Sequence, residues 1–399
     1  MHLAFLAACG LSCIPVSSAA AAAAAPPAID LHVRAAMARS DVQGLALAFI
    51  DDGQVAFTQA WGKRNAAGQP LTRDTIMYGA SLTKMVFAHT VMQLAGEGRL
   101  RLDTPISAYL TKPLPDYADE DAYGPWSHLA GDQRWRQLTP RILLSHASGF
   151  ANFAFLEPDG KLRMHFTPGS RYAYSGEGII LLQFVLERGL GLDVGMQMQR
   201  RIFDRFGMTN TSMRWRPDFA AKLADGWDAA GKPKPHDKRS RVRAAGSMDT
   251  TIDDMANYAA AFMRGGGLTP ASRAEMLRAQ LPITTATQFP TLQPELPPQE
   301  RHPALAAGLG VVTFNGPQGR GFYKGGHNDT TGNTLVCVET GRRCVVLLAN
   351  DVRAEALFPG IVRRLLGETG MPWTWEYGPG AQADLKTTDR PVSAAAPPP

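Results

Sequence analysis

The residues of this chain best placed to do chemistry are Ser81 and Lys84, in the tetrapeptide Ser81-Leu82-Thr83-Lys84. The apolar periodicity that follows predicts a helix that begins here and ends before Gly98. Residues three apart share one face of a helix, so the lysine amine can reach the serine oxygen. A serine hydroxyl is a weak nucleophile without an adjacent base. The pair therefore predicts attack on a carbonyl carbon, although an N-cap serine followed by a surface lysine has the same spacing.

Other catalytic patterns are missing from the sequence. After residue 25 there is no His-Glu-x-x-His, no cysteine pair at zinc spacing, no Gly-x-Ser-x-Gly elbow and no glycine-rich nucleotide loop. The 399 residues are 45% hydrophobic and 19% charged, with a net charge of +5. This composition excludes a disordered or fibrous protein, and the small positive excess does not indicate nucleic-acid binding. We expect a globular protein without a cofactor, a metal site or a nucleic-acid partner.

Several further motifs surround the serine-lysine pair. In chain order they are Trp61-Gly62, Pro70-Leu71-Thr72, Thr75–Ser81, Leu94–Ile106, Leu143–Phe150 and Pro168–Gly176. Together they resemble the serine β-lactamase and penicillin-binding-protein-like family, on the branch of class C β-lactamases, D-alanyl-D-alanine carboxypeptidases and related esterases. The resemblance runs from about residue 30 to residue 368. The order of the motifs is specific, whereas each motif by itself is not.

The resemblance implies roles for three residues. In the family the serine of Ser-x-x-Lys is acylated, the lysine helps to remove its proton, and a tyrosine of a Tyr-x-Asn motif is the general base. The matching residues are Ser81, Lys84 and Tyr174. A tyrosine, with an ordinary pKa of about 10, acts as a base near neutral pH only where cations such as Lys84 stabilise its phenolate. Gly176 stands at the position of the Asn, so the usual side-chain amide is missing, and Glu177 follows it.

The family's third motif, Lys-Thr-Gly or His-x-Gly on a strand beside the serine, is expected in the segment Lys324–Gly332. We expect His327 to take the cationic position, where it would hold a substrate carboxylate or polarise the base; a hydrogen-bonded turn histidine is the simpler alternative. A backbone N–H near Thr330 would join that of Ser81 in an oxyanion hole. Asp329 stands where a glycine is usual, and its side chain could block the substrate. The candidate substrate-binding residues are thus Gly176, His327, Asn328 and Thr330.

A sheet and a helical region must position these motifs. Strand patterns cluster near the two ends of the chain, and the middle is mainly helical in pattern. We predict an α+β fold, in which an antiparallel sheet formed from both chain ends is flanked by helices and carries an inserted, mainly helical region. The halves of the sheet are expected at about 30–80 and 305–368, and the helical region at about 81–304.

The two ends of the chain have distinct compositions. Residues 1–25 hold an apolar block at 3–16, followed by Ser17, Ser18 and a run of seven alanines at 19–25, which is typical of a secretory signal peptide. The hydrolase-like domain would occupy residues 26–370, followed by a tail at 371–399 that is disordered at its end. We expect a periplasmic or secreted protein, attached to a membrane only if the signal is retained or lipidated.

Cys337 and Cys344 flank a predicted β-hairpin with Thr340 and Gly341 at its turn. In that register the two cysteines face each other, which permits a disulfide in an oxidising compartment. Two small buried hydrophobic residues are an equally good interpretation.

The expected function is that of a serine hydrolase, which acts through an acyl-enzyme on a small ester, a D-amino-acid peptide from the cell wall or a β-lactam. Because Gly176 and Asp329 depart from the lactamase pattern, ester or peptide hydrolysis is favoured over efficient β-lactam hydrolysis. The alternative is a penicillin-binding-like sensor or binding protein that does not turn over. The sequence leaves the oligomeric state open.

Overall fold

The computed structural model describes residues 23–117 and 122–380. Its helices are Pro27–Arg39 (α1), Leu82–Gly96 (α2), Pro140–Leu144 (α3), Gly176–Phe184 (α4), Val194–Met198 (α5), Ile252–Met263 (α6), Pro270–Met276 (α7), Phe358–Leu366 (α8) and Trp373–Tyr377 (α9). Its strands are Gly44–Asp51 (β1), Gln54–Gly62 (β2), Met77–Tyr78 (β3), Gly226–Trp227 (β4), Pro233–Lys234 (β5), Asp249–Thr250 (β6), Leu281–Pro282 (β7), Ala306–Ala307 (β8), Val312–Gly316 (β9), Gly319–His327 (β10), Gly332–Val338 (β11) and Arg343–Ala349 (β12).

The large sheet is antiparallel and joins the two ends of the chain. Its strand order is β2-β1-β12-β11-β10-β9-β8-β7. β1 and β12 pair along their whole lengths, from Leu45 opposite Ala349 to Ile50 opposite Cys344. The helices α2 to α7 are inserted between β2 and β7. The predicted α+β architecture is confirmed. The sheet resumes at Leu281 rather than near residue 305, because β7 and β8 are too short to show a period-two pattern.

The sheet has a hydrophobic core on each face. Along β12, Val346 and Leu348 belong to the core formed with α2 and α6, whereas Val345 and Leu347 belong to the core formed with α1, α8 and α9. This alternation is the period-two arrangement of side chains on a strand. Both faces of the sheet are therefore covered by helices.

Helix α2 lies inside the protein. Every residue from Leu82 to Leu94 is buried, which is expected of a helix that is apolar on all sides. The helix contacts β10 and β11 of the sheet, and α5 and α7 of the helical region. Its N-terminus, and with it Ser81, is thus held rigidly beside the sheet.

The hairpin of β11 and β12 has the predicted register, with Cys337 opposite Cys344 at a Cα–Cα distance of 4.1 Å. The two cysteines form a disulfide. The turn spans Glu339 to Arg342, with Gly341 at a φ of +71°, a left-handed conformation that favours glycine. The structure therefore agrees with the disulfide interpretation of this cysteine pair.

The fold continues beyond the boundary predicted at residue 370. The side chains of Trp373 and Trp375 on α9 are buried in the core that also contains α8. Residues 371–380 therefore belong to the packed protein, while the rest of the predicted tail lies outside the described residues. Residues 1–22 of the predicted signal peptide also lie outside them. No helix within 23–117 and 122–380 is long and apolar enough to cross a bilayer.

Candidate active site

Ser81 lies in a tight turn that leads into α2. The preceding residue, Ala80, has a φ of +46°, a left-handed value uncommon for a residue with a Cβ. The N–H of Gly79 donates to the carbonyl of Met248 at 2.8 Å, and the hydroxyl of Thr83 donates to the carbonyl of Ala80. Backbone strain that surroundings hold in place is found at functional sites. The turn fixes the direction in which the serine hydroxyl points.

Three of the predicted residues meet at one oxygen atom. Lys84 Nζ and Tyr174 OH each donate a hydrogen bond to Ser81 Oγ, both at 2.8 Å. Lys84 stands one turn along α2 from the serine, and its Nζ also donates to the carbonyl of Ala245. Tyr174 precedes the N-cap of α4, Ser175. The structure thus assembles Ser81, Lys84 and Tyr174 into a single cluster.

Burial governs the proton distribution in this cluster. Lys84 is 2% exposed, and burial lowers the pKa of its amine well below the usual range, an effect to which the charge of Lys324 adds. Burial raises the pKa of Tyr174, and the hydrogen bond to Ser81 offsets this only in part. The ammonium groups of Lys84 and Lys324 each lie 5.0 Å from the Tyr174 ring centroid. The resting site therefore favours a neutral Lys84 amine, rather than a tyrosinate, as its base.

The strand beside the serine presents Lys324 and Gly326. A Cβ on Gly326 would lie 2.9 Å from the amide nitrogen of Leu82 and 3.0 Å from that of Ser81, so β10 can approach the start of α2 only with a glycine here. Lys324 is buried beside the ring of Tyr174. Our sequence interpretation missed both residues, although Lys324-Gly325-Gly326 matches Lys-Thr-Gly at its first and third positions.

His327 does not take the cationic position expected of it. Its Nδ1 is 3.1 Å from Oε1 of Glu355, outside the cluster around Ser81, although the residue lines the same cleft. Burial lowers the pKa of His327, but the hydrogen bond and charge of Glu355 outweigh that effect, so the pKa is raised overall. Lys324, three residues earlier on β10, is the cation beside Tyr174 instead.

The backbone N–H of Thr330, which we expected in the oxyanion hole, makes a different hydrogen bond. The N–H of Thr330 donates to Oδ1 of Asn328 at 2.9 Å, inside the turn that follows β10. The N–H of Asn328 donates to Thr331 O, on the β11 side. Successive N–H groups of a strand point to opposite edges, so the N–H of His327 points away from β11. Since β9 pairs with β10 only as far as Tyr323, that edge is open to the cleft. The N–H of His327 is therefore the candidate for the second backbone donor of the oxyanion hole. Asp329 pairs with Lys234 away from the cleft.

Gly176 is a glycine because a neighbouring ring fills its side-chain position. A Cβ there would lie 2.5 Å from ring atoms of Phe153. The N–H of Gly176 donates to Oδ1 of Asn152 at 2.9 Å, and the side chain of Asn152 lines the cleft. Oε1 of Glu177 accepts a hydrogen bond from the N–H of Ala154 at 3.0 Å. Asn152, from a segment that comparison with Tyr-x-Asn does not indicate, thus places a side-chain amide in the cleft next to position 176.

Aromatic rings form the walls of the cleft. Phe153 and Phe155 stack with their centroids 5.2 Å apart, and Phe155 is 73% exposed at the mouth. His146 packs on Tyr174 at 4.4 Å between centroids, and its Nδ1 accepts the N–H of Ser175, so its contacts hold the segment that carries Tyr174. The cleft has a volume of about 970 Å³, which is ample for a small-molecule substrate. The described residues contain no group of His, Cys, Asp or Glu that could hold a metal ion.

Replacing Gly326 by alanine is expected to reduce both stability and activity, because the new methyl group would push β10 away from the N-terminus of α2. Overpacking of this kind costs about 1–3 kcal/mol, and we expect kcat/KM for an ester to fall by about 10-fold or more. Thermal unfolding and initial rates measure the two effects. Gly131→Ala is the matched control, since a Cβ there meets no atom within 4 Å. Equal behaviour of the two variants would show that the close approach is unimportant.

The fold and the site together define the β-lactamase/transpeptidase-like class of protein. The structure of the octameric penicillin-binding protein homologue from Pyrococcus abyssi matches with a TM-score of 0.68 at 19% identity, and the match covers 86% of this chain and 78% of that chain. A family model described as Beta-lactamase matches residues 29–366. The chain belongs to the β-lactamase family, and the resemblance drawn from its motifs is confirmed.

Two curated relatives illustrate the range of the family. A lovastatin esterase of Penicillium rubens is 28% identical over 225 residues, which is 49% of this chain and 56% of that protein. A β-lactamase of Pseudomonas fluorescens is 23% identical over 240 residues, which is 58% of this chain and 62% of that protein. The matches thus span little more than half of the relatives' own lengths.

Proposed function

We propose that this protein is a serine hydrolase that forms an acyl-enzyme at Ser81 and releases it with water. The observation that carries the proposal is the position of Ser81 Oγ, 2.8 Å from both Lys84 Nζ and Tyr174 OH at the wall of a large cleft. A nucleophile within hydrogen-bond reach of a buried, neutral amine is the arrangement that acyl transfer requires.

In the acylation step, the neutral amine of Lys84 accepts the hydroxyl proton while Ser81 Oγ bonds to the substrate's carbonyl carbon. The carbonyl oxygen becomes an oxyanion, which the backbone N–H groups of Ser81 and His327 stabilise. The bond to the leaving group then breaks, and the leaving oxygen takes the proton of Tyr174, which the Lys84 ammonium replaces. Water repeats the sequence on the acyl-enzyme, releases the acid and restores the serine hydroxyl.

Among the three substrate classes expected of the family, a small ester is the one we favour. The names of the relatives include both an esterase and a β-lactamase, so family membership alone does not choose between them. Gly176 and the displaced third motif both depart from the lactamase pattern. The apolar rings of Phe153 and Phe155 at the mouth also suit an apolar substrate group.

Covalent labelling tests the proposal. A fluorophosphonate probe should attach once to the native protein, at the peptide that contains Ser81, and p-nitrophenyl butyrate should be hydrolysed with an initial burst. Ser81→Ala should neither be labelled nor turn over. Labelling that persists in Ser81→Ala would contradict the assignment of the nucleophile. Stoichiometric labelling at Ser81 without turnover of esters, D-peptides or a chromogenic cephalosporin would instead support the sensor interpretation.

A further inference from the structure

Each of the two cations on the strand beside the serine faces a buried or half-buried carboxylate. His327 is bonded to Glu355, at 3.1 Å. Lys324 is 4% exposed and is attracted by Glu376, which is also 4% exposed. Lone buried charges are unfavourable, and pairing offsets part of that cost. This end of the cleft therefore holds two positive groups and two acidic ones.

Glu376 lies directly against the backbone of β10. A Cβ on Gly325, the residue after Lys324, would overlap Oε1 of Glu376, so the carboxylate occupies the place of a side chain at position 325. Its Oε2 accepts a hydrogen bond from Nε2 of Gln288 at 2.9 Å. Gln288 is held in turn by the hydroxyl of Tyr172, also at 2.9 Å. Both Glu376 and Gln288 line the cleft. Glu376 belongs to α9, beyond the residues 29–366 that the family model matches.

The leaving group of a substrate must come close to this pair. The proposed proton donor to the leaving group is Tyr174, and the Lys324 ammonium lies 5.0 Å from its ring centroid. A carboxylate carried on the leaving group would approach Lys324, but there it would meet the carboxylates of Glu376 and Glu355. Like charges repel each other, and the repulsion is stronger where water is excluded.

Apart from Lys84, the other lysines and arginines that line the cleft belong to the segment 237–243. Arg239 stacks on Tyr78 and lies 3.5 Å from a carboxylate oxygen of Asp249. Arg243 donates to the carbonyl of Tyr123 at 3.0 Å. Arg239 and Arg243 thus have partners within the protein, and Lys324 is the cation that lies beside the proposed proton donor, Tyr174.

We infer that Glu376, with Glu355, makes this cleft select neutral esters over substrates that carry a carboxylate on the leaving group. The inference rests on the proposed hydrolase function and names its substrate class. β-Lactams and cell-wall peptides carry a carboxylate next to the bond that is cleaved, so both would be discriminated against. Glu376 acts through its charge on Lys324, whose Nζ already donates to the carbonyl of Gly325 at 2.7 Å.

Protonation around Lys324 sets the conditions of the test. Burial lowers the pKa of Lys324 to about 8, and Glu376 opposes this. The other titratable groups around it are Lys84 from α2, His146, Tyr172 and Tyr174 from the segments before α4, Tyr323 and His327 from β10, Glu355 from the turn before α8, and Tyr377 from α9. At pH 6.5 Lys324 remains protonated in the native protein, and its charge opposes the burial that raises the pKa of Glu376. Loss of the Glu376 charge should move the alkaline limb of kcat/KM to lower pH.

The test compares phenyl phenylacetate with 3-carboxyphenyl phenylacetate, which differ only by a carboxylate on the leaving group. At pH 6.5 the native enzyme should prefer the neutral ester by about 10-fold or more in kcat/KM. In Glu376→Gln, which keeps an acceptor for Gln288, the preference should shrink by about 10-fold, chiefly through KM of the charged ester. Glu376→Asp should keep the native preference, and the exposed Glu300→Gln should behave as the native protein.

Two outcomes would overturn the inference: an unchanged ratio of the two kcat/KM values in Glu376→Gln, or a native enzyme that prefers the charged ester. A general loss of activity on both esters would show a merely structural role for Glu376. Failure of the proposed function gives a different result, namely turnover that survives in Ser81→Ala or is absent from every variant. If turnover is absent from every variant, calorimetric binding of the two esters to Ser81→Ala, with and without Glu376→Gln, measures the same preference without chemistry.

Discussion

Replacing Ser81 by alanine is expected to lower kcat/KM for p-nitrophenyl butyrate by about 10⁴-fold or more, to the level that binding and the backbone donors alone support. The reason is that both Lys84 and Tyr174 direct their hydrogen bonds at the oxygen atom that this change removes. No other hydroxyl is held between those two groups in the part of the chain that the structure describes. Initial rates over a range of substrate concentrations measure the loss.

The stability of Ser81→Ala should change little, because the turn before α2 is held by backbone and Thr83 hydrogen bonds rather than by the serine side chain. Ser170→Ala removes an exposed hydroxyl outside the cleft and should retain native rates. Residual ester hydrolysis within about 10-fold of the native rate, in purified and folded Ser81→Ala, would contradict the assignment of the nucleophile.

Lys84→Met is expected to lower kcat/KM by about 10²- to 10⁴-fold while the protein remains folded. Methionine approximates the lysine stem in volume but cannot accept the serine proton. Because Lys84 is fully enclosed, its amine is costly to charge, and burial holds its pKa well below the usual range. An apolar replacement of a buried ionisable group is often tolerated. Lys84→Met should therefore show a large loss in kcat/KM and only a small change in thermal stability.

The pH dependence gives this prediction a second measurement. If the neutral amine of Lys84 is the base, native kcat/KM should fall on the acid side as that amine becomes protonated, well below the pKa of an ordinary lysine. That acid limb should be absent from the residual activity of Lys84→Met. Exposed Lys161→Met should leave the profile unchanged. An identical acid limb in Lys84→Met would show that another group, such as His327, is responsible for it.

The part of the site that lies within one stretch of chain could be predicted from the sequence. Ser81 and Lys84 are joined by helix geometry, so their contact follows once a helix is assigned to them. The disulfide partners Cys337 and Cys344 are joined by hairpin geometry in the same way, since the turn sets the register. Tyr174 could be assigned only through the order of the family's motifs, because nothing local relates it to Ser81.

Only the tertiary structure decided the contacts made between distant segments. The cation beside Tyr174 is Lys324 rather than His327, since the identity of the residue facing the serine depends on how β10 lies across α2, where Gly326 permits contact with the amide of Ser81. Asn152 lines the cleft and accepts the N–H of Gly176, while a ring of Phe153 fills the place of a side chain at position 176.

Glu376 is the clearest example of a cleft residue that only the tertiary structure reveals. It stands in a segment that composition alone assigned to a tail, yet α9 brings its carboxylate against Gly325 inside the cleft. The sequence by itself determined the contact of Ser81 with Lys84, the family and the α+β class, because repeating backbone geometry and motif order encode them. The charge balance that sets the proposed substrate preference was decided by tertiary packing, since buried charges interact through space and not along the chain.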